Sequence, residues 1–392
     1  MKKILYIYHT SAIGGGSYCL LNILKEIDRT LYTPSVMLSS DGPLVDEIRK
    51  MNIDVYIFPY IYSVPYNSNL FRPKRLLNMA KMVLKYPSYR KLVKDINPDI
   101  IYVNSMMLYP YLIVKKKQGC KSIVHIREHW PANEHKLQRA LAERVMNKYA
   151  DCIIAINNFS ACMFKSLTAS TKVVYDWIDL DSRNQRFDMQ TVFGEDVSDK
   201  KVFLFTGGYN PIKGTKEVIE SFINIKDSKV RLLMLGVPVP EQYNGIRKLK
   251  KILLNLQHKT SYMEKVIDLI NSDQRIKCIP ATYNIKQILE QSSCMLSFFT
   301  IPHANLAMAE SIIAGTPVIA ADTEEGREYA NHGQAALLYE FGNIDAFKDS
   351  IKYYLEHSSE VDDKCKKNQN KLQQVFDRKR NANVLNSIYA NI

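Results

Sequence analysis

Short, mostly apolar runs recur along the first half of the chain, at residues 4–8, 33–38, 55–58, 100–103, 122–126, 152–156 and 173–175. Polar or turn-forming residues bound each run, and β-branched and aromatic side chains are frequent in them, so each reads as a strand. Between them, residues 18–26 and 44–51 carry apolar side chains at helical spacing. The alternation restarts after a polar, irregular stretch at 181–200. Residues 202–206, 231–236, 276–279, 294–298 and 318–321 read as strands, and 215–223, 284–291, 304–314 and 346–356 as helices. Gly315 suits the position that ends the helix over 304–314, Pro317 follows it, and 322–327 reads as a polar turn. The pattern predicts an α/β protein with two doubly wound parallel sheets. The domains expected are 1–180 and 201–370, joined by a linker at 181–200 and followed by a last helix over 371–392.

In such sheets ligands gather outside the carboxyl ends of the strands. One rim of the first half should therefore hold Asn104, Ser105, Arg127, Glu128, His129 and Asn157, beside the consecutive glycines Gly14, Gly15 and Gly16. Those glycines open a helix after a strand, a setting that suits phosphate and equally suits a tight turn. His125 and Arg127, two apart on one strand, share a face. In the second half Glu310 stands among Ala307, Met308, Ala309, Ile312, Ile313 and Ala314. An unpaired carboxylate buried there costs several kcal/mol, so it faces solvent or serves a partner.

Composition narrows the setting. The chain has 392 residues, enough for two domains, and its 46% apolar share is that of a globular protein. A net charge of +13 favours acidic partners. Residues 71–95 concentrate that charge: Arg72, Lys74, Arg75, Lys81, Lys85, Arg90, Lys91 and Lys94 come before the first acid, Asp95, with leucines and methionines between. This predicts a basic amphipathic helix, either a solvated face or a contact with an anionic membrane surface. A second basic helical insertion is expected at 241–258. Seven cysteines are scattered with no CxxC, which points to a reducing compartment and no zinc site. The opening residues read as a strand rather than a signal-peptide core, and no apolar run reaches the length of a membrane span. Charge alone allows a nucleic-acid binder, but no motif of basic and aromatic residues accompanies it.

The segment SFFTIPHANLAMAESIIAGTPVIAADTEEG at 297–326 resembles the donor-site segment of GT-B glycosyltransferases, closest to the large retaining group called family 4. The resemblance implies two Rossmann-like domains facing a cleft, the nucleotide on the second, the acceptor on the first, and a tail helix crossing back to the first. It puts Glu310 on the ribose of a nucleotide diphosphate-sugar, with His303, Ala304, Asn305 and Leu306 in the donor site. Pro302 stands where the family usually has another Glu, and His303-Ala304 where Phe-Gly is common. GGYNPIKG resembles the family's G-R-x…K-G: Lys213 and Gly214 match, placing Lys213 at the diphosphate with Gly207, while Gly208 replaces the usual Arg. Gly14, Gly15 and Gly16 would lie near the diphosphate and acceptor, and Ile279, Pro280 and Ala281 would flank the base. Either His125 or Arg127 would take the place of the family's His near the reacting sugar. DWIDLD resembles the end of the family's first domain; its Asp179-Leu180-Asp181 looks like a D-x-D metal motif, but a linker after a strand is the wrong setting.

The implied activity is transfer of a sugar from a nucleotide diphosphate-sugar to a glycan or lipid-linked acceptor, in cell-surface polysaccharide or glycolipid assembly, with retention. Catalysis is implied to rest on His125, Arg127, Lys213 and Glu310, with no metal and no cofactor. The expected location is cytoplasmic, peripheral on the inner face of the membrane, with no nucleic-acid partner. Two alternatives stay open. One is a GT-B-like protein that binds nucleotide sugars with lost or weak catalysis, as Pro302 and Gly208 indicate. The other is a nicotinamide-dependent oxidoreductase, which Asp41 would serve but the lack of GxGxxG disfavours.

Overall fold

A computed structural model describes residues 1–66, 72–114, 119–130, 134–164, 166–180, 186–237, 262–282 and 285–392. The chain divides into two compact units: Met1–Trp177 with Phe376–Ile392, and Ile178–Val375. The first unit is built on seven parallel strands, β1 (Lys2–Ile7), β2 (Tyr32–Leu38), β3 (Asp54–Ile57), β4 (Ile100–Val103), β5 (Lys121–Ile126), β6 (Cys152–Ala155) and β7 (Ser170–Val173). Their spatial order is β3-β2-β1-β4-β5-β6-β7. Both faces are covered, which is why the central strands read as continuous apolar runs. One face buries Leu5, Ile7, Val103, Val124 and Ile126. The other buries Ile4, Tyr6, Tyr102, Ile123 and Ile154, together with Leu385, Ile388 and Tyr389 from the end of the chain.

The second unit holds six parallel strands, β8 (Lys201–Phe205), β9 (Val230–Leu235), β10 (Ile276–Ile279), β11 (Cys294–Leu296), β12 (Val318–Asp322) and β13 (Leu337–Glu340), in the order β10-β9-β8-β11-β12-β13. Each sheet therefore reverses its winding once, between β1 and β4 in the first and between β8 and β11 in the second. These are the topological switch points where open α/β sheets leave a crevice. Both units are Rossmann-like.

Several expectations are corrected. Residues 186–200, read above as linker, pack into the second unit. Met189 and Phe193 of a short helix, Met189–Phe193, and Val197 beyond its end bury against β8 and β9, and Arg231 of β9 makes a two-point pair with Glu195 at 2.5 and 3.0 Å. The surrounding polar residues hide these three in the sequence. The expected single helix over 371–392 is two: Ser358–Val375 and Arg378–Asn391, the second capped by the Asp377 side chain accepting from Arg380 N at 2.6 Å. The polar turn at 322–327 is mostly helix, Glu324–Tyr329, started by the Thr323 hydroxyl accepting from Gly326 N. The basic stretch forms the helix Pro73–Ile96, whose apolar residues split between two faces. A nine-residue 3-10 run, Met106–Val114, and a helix, Lys136–Tyr149, were not anticipated. The insertion at 241–258, Phe71, Asp181, residues 182–185 and Asn284 lie outside the described residues.

Candidate functional site

At the switch point of the second sheet, the segments leaving β8 and β11 bring Lys213 and Glu310 together. After β8 the chain passes Gly207 and Gly208, turns through a short 3-10 segment, Pro211–Lys213, and enters the helix Thr215–Ile223 at Gly214. The Asn210 side chain caps the short segment by accepting from Ile212 N at 3.0 Å. The Thr215 hydroxyl donates back to Gly208 O at 2.8 Å, closing the loop. Gly208 has φ +60°, and a Cβ on it would lie 3.2 Å from Gly236 O at the end of β9. The positive φ and the close approach to Gly236 both suit glycine at this position. Gly214, at φ +67°, packs its α-carbon directly on the Phe298 carbonyl, so this loop is seated on the segment that follows β11. Thr300 N completes the seating by donating to Ile212 O at 3.0 Å.

That segment runs through half-buried Pro302, His303 and Ala304 into the helix Leu306–Ile313. Asn305, buried, caps the helix and donates to Ser297 Oγ at 2.8 Å. Leu306 and Glu310, one turn apart, lie on the helix's partly exposed side, while Met308, Ala309 and Ile312 face the core. The Lys213 ammonium stands 4.2 Å from the centre of the Phe299 ring, a cation–π contact that the sequence did not signal. Burial pushes the Lys213 amine down to about 8, opposed by the Glu310 charge. Burial likewise pushes the Glu310 carboxyl up to about 7, opposed by Lys213. The two charges thus support one another in a place that disfavours both. Ile279 closes the same edge: its carbonyl accepts from Gly236 N at 3.0 Å, with Pro280 and Ala281 exposed beyond it.

The rim of the first unit is organised by Arg127. Its Nη1 donates to both Asp176 oxygens at 2.7 and 2.6 Å, and its Nε to Asn104 Oδ1 at 2.8 Å, so one guanidinium ties the ends of β4, β5 and β7. Burial works against that charge, and Asp176 more than restores it, leaving Arg127 above its ordinary range. His125 is inside β5 rather than at the rim, 1% exposed, with Nδ1 2.5 Å from the Tyr102 hydroxyl and 3.3 Å from Arg127 Nη2. Burial, then the Arg127 charge, holds it well below its ordinary value, which favours the neutral ring. Its Nε2 and Asn104 Nδ2 are buried without a partner among the described residues. Glu128 accepts from Ser105 Oγ and from Met106 N, starting the 3-10 run. Of the glycines, Gly16 leaves room for the Tyr8 hydroxyl, 2.5 Å from where its Cβ would be, whereas a Cβ on Gly14 or Gly15 would meet nothing within 4 Å among the described residues. Sequence reasoning missed Asp176, whose partner Arg127 lies 49 residues away in the chain.

Comparison with known proteins agrees with this architecture. The sequence model described as glycosyl transferases group 1 matches residues 191–372, and the one described as glycosyltransferase family 4 matches residues 13–182. No curated protein matches the chain in sequence. Among solved structures, HepE of Anabaena, in complex with UDP and glucose, has a TM-score of 0.76 at 19% identity, with 100% of each chain covered. Sucrose-phosphate synthase of Thermosynechococcus elongatus gives 0.70 at 14%, covering 100% of this chain and 99% of that one. The lipopolysaccharide outer core galactosyltransferase WaaB gives 0.59 at 16%, with both chains fully covered. The nicotinamide reading has no support in these matches. With one family model on each Rossmann-like unit, the chain belongs to the group 1 glycosyltransferases and has the GT-B fold.

Proposed function

We propose that this glycosyltransferase moves a hexose from a uridine diphosphate-sugar to a glycan or lipid-linked acceptor in cell-surface polysaccharide or glycolipid assembly, with retention, at an anionic membrane. The observation that carries the donor side is the Lys213–Glu310 pair at the switch point of the second sheet. A protonated Lys213 neutralises charge on the departing diphosphate, and does so most strongly where water is scarce. The Glu310 carboxylate accepts the vicinal hydroxyls of a ribose. The Gly207 amide and the start of the helix at Thr215 supply further donors for phosphate oxygens without a metal, while the Gly208 amide donates to Leu235 O at 3.3 Å. UDP is the nucleoside diphosphate of choice because HepE, of matching fold, is described in complex with UDP and glucose. Surface-glycan assembly is favoured by the likeness to a lipopolysaccharide galactosyltransferase.

A second reading, binding of the nucleotide sugar with weak catalysis, draws on Pro302 and on Gly208 standing where the resembled motif has Arg. The test is titration calorimetry with UDP, GDP and their 2′-deoxy forms on wild type and Glu310→Gln, followed by acceptor-independent hydrolysis of UDP-sugars. Weaker ribonucleotide binding and a smaller preference over the deoxy form are expected in the variant. Unchanged affinity and unchanged deoxy discrimination would remove Glu310 from the donor site. UDP binding without any sugar release would favour the second reading. The anomeric configuration of the product, read by NMR, decides retention.

A further inference from the structure

The helix Pro73–Ile96 is apolar on two opposite faces over its first four turns. One face, with Met79, Met82, Tyr86 and Tyr89, packs on the core of the first unit. The other points outward: Leu76 is 44% exposed, Leu77 56%, Val83 64% and Leu84 75%. These four, with exposed Ala80 and Pro87, recur at spacings of three and four and form one stripe. A monomeric surface rarely gathers large apolar side chains in this way without a partner. Beside the stripe stand Lys74, Lys81 and Lys85, and residues 72–94 carry eight basic residues and no acid. The helix Lys136–Tyr149, packed on the same core, adds exposed Leu137 and Leu141.

We infer that the outward stripe of Pro73–Ile96 is a docking element that inserts shallowly into an anionic lipid surface, the apolar residues entering the acyl boundary and the lysines meeting headgroup phosphates. This deepens the membrane reading above and rests on it for its purpose. Charge decides between occupants. A second copy of this chain on the same stripe would set its own Lys74, Lys81 and Lys85 against the same three lysines. A neutral protein groove would leave the lysines unmatched, whereas an anionic bilayer satisfies both the apolar stripe and the charge.

The test is co-sedimentation of the full chain with phosphatidylcholine vesicles, alone or with about one-third phosphatidylglycerol, at about 0.15 M salt. Three variants are compared with wild type: Leu77→Gln with Val83→Gln and Leu84→Gln; Lys74→Gln with Lys81→Gln and Lys85→Gln; and Leu84→Trp. All these positions are exposed and glutamine is a good helix former, so folding is retained. Wild type is expected to bind only the anionic vesicles, and each triple variant to lose at least about tenfold in partitioning. The Leu84→Trp emission should shift to the blue on anionic vesicles alone. Equal partitioning of wild type and both triple variants, or no binding to anionic vesicles, overturns the inference. So does reversible dimerisation that the apolar variant abolishes while vesicle binding is absent. UDP affinity measured on the same samples keeps the two readings apart. Its absence with vesicle binding intact removes the donor-site reading only, and the converse removes this one only.

Discussion

At the scale of single residues, the donor-site reading rests on two side chains whose charges are each disfavoured by burial. Lys213→Ala removes a charged hydrogen-bond donor from a nucleoside diphosphate, so UDP should bind more weakly by about 1–3 kcal/mol. Calorimetry measures this, and an unchanged dissociation constant would take Lys213 out of the mechanism. The pair also predicts a pH profile with a worked sign. Glu310 accepts hydrogen bonds best when ionised, which its raised value of about 7 delays until pH climbs through neutrality. Lys213 attracts diphosphate only when protonated, which its lowered value of about 8 ends as pH climbs further. UDP affinity of the free protein should therefore rise through about pH 7 and fall above about pH 8. The two inflections belong to the coupled pair rather than to either residue. In Glu310→Gln the rising arm should vanish, and the falling arm should move to lower pH because Lys213 loses the charge that supports it. A profile flat from pH 6 to 9 would mean that neither group meets the nucleotide.

At the scale of elements, the rim of the first unit turns on one ion pair. The Arg127 and Asp176 side chains are only 9% and 12% exposed, so removing one partner strands a buried charge. Arg127→Ala should cost the first unit about 3–5 kcal/mol, seen in urea unfolding, while UDP affinity stays as in wild type. Arg127→Lys should recover only part, because an ammonium cannot hold Asn104 and Asp176 in the same fork. Little loss from either change would mark Arg127 as replaceable scaffolding. Which such features the sequence reveals follows from their physics. The strands are legible because a parallel sheet covered on both faces needs uninterrupted apolar runs, and Ile100–Val103 and Cys152–Ala155 are wholly buried. Lys213, Gly214 and Glu310 are legible because local backbone demands and a motif coincide there. The packing of residues 189–197 is not, since Met189, Phe193 and Val197 stand singly among polar residues and share a core only once β8 and β9 exist to receive them. Lys136–Tyr149 is hidden likewise: it starts from His135 in a left-handed conformation with no side-chain cap. Asp176 and Phe299 act through partners far away in sequence, Arg127 and Lys213, so no local pattern marks them. For Pro73–Ile96 the sequence shows a helix of basic and apolar residues but not that the apolar ones fall on two faces, because two faces blur the periodicity that tells buried from outward positions.

At the scale of the whole molecule, the chain returns to its first unit to finish it. Phe376–Ile392 belongs with Met1–Trp177, although some two hundred intervening residues build the other unit. Tyr389 is fully buried, its hydroxyl 3.0 Å from that of Tyr6 in β1, and Leu385 and Ile388 fill the same core. Asn386 donates to Glu26 O at 3.3 Å, and Lys2 Nζ to Tyr389 O at 3.5 Å, so the last helix bridges the first strand and first helix of the sequence. Burying these side chains stabilises the first unit by on the order of 5 kcal/mol, from roughly 1.5–3 kcal/mol for each large apolar residue. That is a large part of the margin of an ordinary domain. Truncation after Val375 should therefore unfold the first unit at much lower temperature and leave the second, whose core contains none of these residues, folded. Scanning calorimetry with and without UDP distinguishes the two, because a ligand raises the transition of the unit that binds it. At a hundredfold excess over the dissociation constant the gain is about 2.7 kcal/mol. The truncated chain should keep a transition that UDP raises and lose, or shift steeply downward, one that UDP leaves alone. If truncation instead lowers the UDP-responsive transition, the last helix supports the nucleotide-binding unit, and the assignment of the tail to the first core fails.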